Sequence, residues 1–80
     1  MEKAEFEKRW ELIKEQTKEW WGLISDADLQ KVEKAEVKLN EYVTLLHLKY
    51  GYDREVAKEE IGKRVAEYDT HLKVLITTRP

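Results

Sequence analysis

The helical spacing of apolar residues, with very few helix breakers between them, constrains this chain most. Apolar side chains recur at steps of three and four, and the 80 residues include only three glycines and one proline. That spacing lines one side of an α-helix with apolar groups. The sequence therefore predicts an all-α bundle of about four short helices, over roughly residues 3–21, 26–35, 37–50 and 53–73.

The first predicted helix carries an apolar stripe that ends in a tryptophan pair. The stripe comprises Phe6, Trp10, Ile13, Thr17 and then Trp20 or Trp21. Trp20 and Trp21 fall on opposite flanks of this stripe, so both can touch a core. We expect the helix to stop at Gly22, because glycine readily takes the left-handed conformation found at helix ends.

A helix start follows this stop within three residues. Ser25 is predicted as the N-cap of the second helix, and Asp28 stands three residues later, where it completes a short capping box. Ile24 and Leu29 have the spacing of a hydrophobic staple across that cap. This stretch is therefore expected to be a helix end, a corner and a new helix start.

The middle of the chain permits two interpretations. Apolar residues continue at helical steps from Leu29 to Tyr50, with no glycine or proline between them. This pattern is typical both of one long helix and of a short helix bent into a longer one near residues 34–38. The sequence does not decide between them.

The second corner, Tyr50-Gly51-Tyr52-Asp53, repeats the pattern of the first. Gly51 is expected to end a helix and Asp53 to cap the next one. The last predicted helix carries Ala57, Ile61, Val65, Tyr68 and Leu72 on one face. Residues 74–80 are β-branched and apolar in large part, and either fold back on the bundle or fray.

Size and composition indicate one domain over residues 1–80. Chains of this length supply the apolar side chains of a single core. Hydrophobic residues make up 41% of the chain, with three tryptophans and four tyrosines. That content is too apolar for an intrinsically disordered chain.

Charge patterning disfavours nucleic-acid and membrane partners. Charged residues reach 40% of the chain, yet the net charge is only −2. The lysines most suited to a basic helix face alternate with glutamates: Lys31, Glu33, Lys34, Glu36, Lys38 and Glu41. A DNA-binding helix needs its basic residues clustered, and a membrane-surface helix needs them opposite its apolar face. A nucleic-acid or membrane-surface binder is therefore the weaker alternative for this chain.

Two further observations favour a cytoplasmic location. No stretch approaches the roughly 20 apolar residues of a membrane span. The amino-terminal residues are charged and no apolar run follows them, unlike a secretory signal.

The residues available for catalysis are few. The chain has no cysteine, and Ser25, the single serine, is explained by its N-cap role. His47 and His71 lie on different predicted helices, and neither stands at a recognised metal-ligand spacing. The carboxylates alternate with lysines on solvated faces, where general acid–base catalysis gains nothing. We therefore expect no enzymatic activity, no metal and no cofactor.

Two sequence blocks together resemble the CsbD-like family of small bacterial general stress-response proteins. The first block comprises Trp10, Lys14, Lys18, Glu19, Trp21, Gly22, Ile24, Ser25, Asp26, Asp28 and Leu29. The second comprises Tyr50, Gly51, Tyr52, Arg54, Glu55, Ala57, Glu60 and Ile61. Their order and spacing carry the resemblance, which covers most of residues 6–65.

The resemblance implies short helices packed at steep angles, similar to the sterile-alpha-motif-like folds. It also implies induction under stress, without an established catalytic activity. The chain departs from the family pattern where helix formers such as Glu15 replace glycines, and it adds Trp20. Those departures favour a stably folded bundle.

Trp20 is the residue for which two roles are weighed. It either covers the side of the core or stands partly exposed as a contact for a protein partner or a second copy, since tryptophan is enriched at interface hot spots. The corresponding functions are a non-enzymatic protein that associates with or protects macromolecules, and a small adaptor that docks one protein partner. The partner itself is not identified by the sequence.

Overall fold

Five α-helices and no strand make up the part of the chain that the structure describes. A computed structural model gives the backbone of residues 2–77 and the side chains of residues 2–68. The helices are α1 (Lys3–Lys8), α2 (Trp10–Trp20), α3 (Asp26–Lys34), α4 (Lys38–Tyr50) and α5 (Arg54–Thr77). The predicted all-α class is confirmed.

The first predicted helix is divided into α1 and α2 at Arg9. Its backbone, at φ −102° and ψ 12°, leaves the α-helical region. Helix-type hydrogen bonds nevertheless continue on both sides, from the Arg9 amide to Glu5 and from the Ile13 amide to the Arg9 carbonyl. Because the step from Phe6 to Trp10 keeps helical spacing across the break, the sequence carries no sign of it.

Residues 26–50 form two helices, which answers the question that the sequence left open. Ala35 and Val37 are extended, with ψ values of 146° and 102°. Glu7 of α1 receives the start of α4: one carboxylate oxygen accepts the Lys38 amide at 3.4 Å, and the other lies 3.3 Å from Lys38 Nζ. The break is therefore supported by a tertiary contact, since no glycine or proline lies there.

Tyr42 of α4 stands at the centre of the core. Its ring meets those of Phe6, Trp10 and Trp21 at centroid distances of 5.3, 6.4 and 6.0 Å, each in an edge-to-face arrangement. Such pairs contribute about 0.5–1.5 kcal/mol each beyond the area they bury. The remaining buried apolar residues come from α2 to α5 and from the turn before α3: Ile13, Ile24, Leu29, Val32, Leu39, Val43, Leu45, Leu46, Ala57, Ile61 and Val65.

The Tyr42 hydroxyl has one buried polar partner, Thr17 of α2. Their oxygens lie 2.8 Å apart, and the Thr17 hydroxyl also donates to the Ile13 carbonyl. Because Thr17 has a single hydroxyl hydrogen, Tyr42 must donate to Thr17. Burial raises the pKa of the Tyr42 hydroxyl, while the hydrogen bond to Thr17 and the charge of Arg64 act in the opposite direction.

Helix α5 runs further than predicted. It continues through Thr77, so the predicted end at residue 73 is wrong and residues 74–77 are helical. Residues 78–80 of the predicted tail lie outside the described residues. On the predicted apolar face of α5, Ala57, Ile61 and Val65 are buried and Tyr68 is half-buried. The side chain of Leu72 lies outside the described residues.

The two corner glycines differ in backbone conformation. Gly51 takes the left-handed conformation, at φ 74°, and its amide donates to the His47 carbonyl at 2.9 Å. Gly22 has no positive φ, so the prediction of a left-handed stop there is wrong. The corner is closed instead by a tight turn in which the Ile24 amide donates to the Trp21 carbonyl at 3.1 Å. Helix α2 ends at Trp20, and Trp21 is its C-cap.

Gly51→Ala is expected to destabilise the protein by about 1–2 kcal/mol, because an L-residue is strained at positive φ. A Cβ at that position meets no atom within 4 Å, so strain alone causes the loss. Gly22→Ala is the matched control: its Cβ lies at an ordinary 3.7 Å from the Lys18 carbonyl oxygen. Urea denaturation should show no loss for the control, and an equal loss in both variants would contradict the assignment.

Thr17→Val is expected to cost about 1–3 kcal/mol, because it leaves the buried Tyr42 hydroxyl without an acceptor. Tyr42→Phe should cost less, since Thr17 keeps its bond to the Ile13 carbonyl. Urea denaturation of both variants and of the double variant measures the coupling. Strictly additive losses would show that the two hydroxyls do not interact.

Candidate functional site

The tryptophan pair divides between core and surface. Trp21 is 2% exposed, whereas Trp20 is half-buried and packs against the outside of the core. Their rings meet edge to face, with 6.1 Å between centroids and 85° between planes. The prediction that both tryptophans touch the core is confirmed, and Trp20 retains an accessible part.

The two sequence corners meet in space. The Leu23 amide, which follows Gly22, donates to the Tyr50 hydroxyl at 2.9 Å. Tyr50 in turn stacks on Tyr52, with 5.9 Å between ring centroids and 14° between planes. Leu23 itself is 61% exposed. The Trp-Gly block and the Tyr-Gly-Tyr block of the sequence therefore form one contiguous contact, 27 residues apart in the chain.

The predicted capping box at the start of α3 is present. The Asp28 amide donates to the Ser25 hydroxyl at 3.2 Å, and the Ser25 amide donates to Asp28 Oδ2 at 3.0 Å. The same Asp28 oxygen lies 2.9 Å from Nζ of Lys49, near the end of α4. The backbone hydrogen bond from Ser25 and the Lys49 ammonium hold the pKa of Asp28 below its usual range. This cluster fastens the first corner to the end of α4.

Trp10 joins a polar network at the edge of the core. Its Nε1 donates to Glu33 Oε1 at 3.4 Å, and Lys14 Nζ donates to the same oxygen at 3.2 Å. The hydrogen bond between Lys14 and Glu33 raises the pKa of Lys14 and lowers that of Glu33. The predicted core role of Trp10 is confirmed by its 4% exposure.

A groove runs between α2 and α3 and has a volume of about 530 Å³. It is lined by Lys14, Glu15, Lys18, Asp26, Leu29, Gln30 and Glu33. Both lysines already have carboxylate partners across the groove, since Lys18 Nζ lies 2.7 Å from Asp26 and Lys14 pairs with Glu33. These charges are neutralised within the protein and do not define a ligand.

The histidine positions do not form a metal centre in the described part of the chain. His47 Nδ1 lies 2.8 Å from the Tyr52 carbonyl oxygen. A carbonyl only accepts, so Nδ1 carries the hydrogen. No group of three His, Asp or Glu residues there could hold a metal ion. The side chain of His71 lies outside the described residues. Asp53 occupies the N-cap position of α5, where its carbonyl accepts the Ala57 amide at 2.8 Å.

Arg64 is the site residue that sequence reasoning missed. Glu60 stands four residues before Arg64, the spacing of an exposed ion pair on a helix. Arg64 is instead half-buried, and its Cζ lies 4.6 Å from the centre of the Trp21 ring. Such a cation–π contact is worth about 0.5–2 kcal/mol. Its position in the sequence could have indicated this burial, because Arg64 directly precedes Val65 and so lies at the edge of the apolar stripe.

Together these observations define a small helical protein with an aromatic corner and with no metal cluster among the described residues. Among those residues, no helix is long and apolar enough to cross a membrane. No family model and no solved structure matches the chain. The likeness to sterile-alpha-motif-like folds therefore stays a prediction.

A curated relative gives the family. The chain is 33% identical to a UPF0337 protein of Pectobacterium atrosepticum over 61 residues, which are 76% of this chain and 84% of the relative. The chain belongs to the UPF0337 family, which is equivalent to the CsbD-like proteins. That family is uncharacterised, and no enzymatic family is indicated.

Asp28→Asn is expected to destabilise the protein by about 1–3 kcal/mol at neutral pH, because the amide cannot replace the charge that Ser25 and Lys49 stabilise. The folded-state pKa of Asp28 is depressed below the ordinary 3.8. The stabilisation is therefore complete well above pH 3.8 and is lost as pH falls through the lower folded-state value.

Urea denaturation across this pH range measures the effect. The wild type and the variant should converge at acidic pH, where Asp28 is protonated. Asp26→Asn is the control, since its pair with Lys18 is exposed and worth about 0–1 kcal/mol. A stability difference for Asp28→Asn that is independent of pH would contradict the role of the charge.

Proposed function

We propose that this protein is a non-enzymatic, cytoplasmic bacterial general stress-response protein that acts by associating with or protecting other macromolecules. Membership of the UPF0337 family is the observation that carries the proposal. The geometry is consistent with it: Ser25 is engaged in a capping box and His47 in a backbone contact, so neither is aligned with the other as nucleophile and base. Residues 1–80 are proposed to act as one domain.

A second candidate function is docking of one protein partner through the surface around Trp20. Trp20 is half-buried against Trp21, which holds its ring in a fixed edge-to-face position. A rigid and partly exposed tryptophan loses little side-chain freedom on binding, and this favours a hot-spot role. The exposed Leu23 is three residues further along the chain and enlarges the apolar surface available there.

The balanced charge supports a protein partner over a nucleic acid. Lys14, Lys18, Lys38 and Lys49 all have carboxylates within 4.0 Å, and the net charge of the whole chain is only −2, so its basic residues give no excess of positive charge for a phosphate backbone. Nucleic-acid binding would weaken steeply as salt rises, because counterion release drives it. Docking through Trp20 should be nearly insensitive to salt.

Trp20→Ala is expected to abolish association while leaving the fold intact. Crosslinking and pull-down from stressed cells, combined with the solution mass of the pure protein, measure partner binding and self-association together. Leu48→Ala is the matched control, because Leu48 is a 73% exposed apolar residue on another helix. Association that survives Trp20→Ala would exclude the docking surface. Saturable turnover that is lost on changing one carboxylate or histidine would exclude the non-enzymatic proposal.

A further inference from the structure

Two buried hydrogen-bond donors lie on adjacent side chains beside the core. Trp21 is 98% buried, and its Nε1 has no hydrogen-bond partner among the described residues. Arg64 Nε is also buried without a partner, while the Arg64 guanidinium carbon lies 4.6 Å from the centre of the Trp21 ring. Native proteins leave few such groups unpaired, because the loss of hydration is not recovered.

The chemistry of these two groups specifies what could bind them. An indole N–H and a guanidinium Nε–H only donate, so both need an acceptor. The guanidinium is also positively charged at any physiological pH, which favours an anionic acceptor. Its planar N–H fork matches the two oxygens of a carboxylate.

Among residues 2–68, the protein supplies no carboxylate to Arg64. The ion pairs described there join lysines to Glu7, Glu11, Asp26, Asp28 and Glu33. Glu60, one helical turn before Arg64, makes no ion pair with it within 4.0 Å. Arg64 Nε is covered, but the residue as a whole is only half-buried, so a group from solvent can approach the exposed part of its side chain.

We propose that Arg64 and Trp21 form a binding site for a carboxylate group, with Arg64 supplying the charge and both side chains supplying N–H donors. The half-buried Trp20 also contacts the Trp21 ring, in an edge-to-face pair with 6.1 Å between centroids. The carboxylate comes either from a small organic acid or from an acidic side chain of a protein. This inference does not depend on the association proposed above, since the isolated protein can be tested for it.

The experiment titrates the folded protein with sodium acetate at constant ionic strength, with sodium chloride as the balancing salt. The readout is the indole N–H resonance of Trp21 in a ¹H–¹⁵N NMR spectrum, assigned with Trp10→Phe and Trp20→Phe. We expect a saturable shift of this resonance. Arg64→Gln should weaken acetate binding at least roughly tenfold, because the charge and the fork are both removed.

Two further variants keep the result interpretable. Lys63→Gln removes the same charge from the exposed neighbour of Arg64 and should leave acetate binding unchanged. Arg64→Lys keeps the charge but not the planar fork, and should weaken binding even where Arg64→Gln is too unstable to measure.

N-acetylglutamate amide, whose side-chain carboxylate resembles that of a protein, distinguishes the two sources of the carboxylate. Tighter binding than acetate assigns the site to an acidic protein segment, and equal binding assigns it to a small acid.

Three results would overturn the proposal. One is a Trp21 indole N–H resonance that does not shift with acetate and whose hydrogen exchanges only with an ordered water. Another is a shift of equal size in Arg64→Gln and wild type. The third is saturable binding of inorganic phosphate but not of acetate, which would assign the site to a different anion. Association that survives Trp20→Ala, together with an intact acetate response, would overturn the proposed docking function alone.

Discussion

The structure depends on the Tyr42 side chain of α4, because residues of α1 and α2 pack against it. Its ring contacts Phe6 of α1, Trp10 of α2 and Trp21 at the end of α2, and its hydroxyl bonds to Thr17. The buried Tyr42 hydroxyl requires a hydrogen-bond partner, and Thr17 of α2 supplies it. This bond therefore also fixes how α2 lies on α4. An apolar core of the same size would tolerate more arrangements.

Around this centre, polar contacts fix the corners where helices end. Glu7 accepts a hydrogen bond from the first amide of α4, and Asp28 forms an ion pair with Lys49 near the end of α4. The Tyr50 hydroxyl accepts a hydrogen bond from the Leu23 amide. Each contact joins segments far apart in sequence. The two blocks that resemble the CsbD-like family are thus brought together by their own side chains. Trp20 and Arg64 both contact the Trp21 ring there.

The sequence predicts features that depend on local chemistry. The Ser25–Asp28 capping box, the left-handed Gly51 and the apolar face of α5 follow from residue type and spacing, and all three are present. The break at Arg9 and the extended residues 35–37 depend on tertiary packing, for which spacing gives no signal. Arg64 escaped notice for a similar reason: helical spacing offers it Glu60, while only the fold places Trp21 beneath it. The role of Trp20 remains a proposal because exposure alone does not identify a partner.

The position of α4 in the bundle has a consequence for how the chain folds. Helix α4 contacts its sequence neighbours α3 and α5, and it also contacts α1. The first two contacts close short connections, whereas docking of α1 must bring together segments about thirty residues apart, at a larger loss of chain entropy. We therefore expect the hairpin of α3 and α4 to form early, and closure of α1 onto Tyr42 to set the rate of folding.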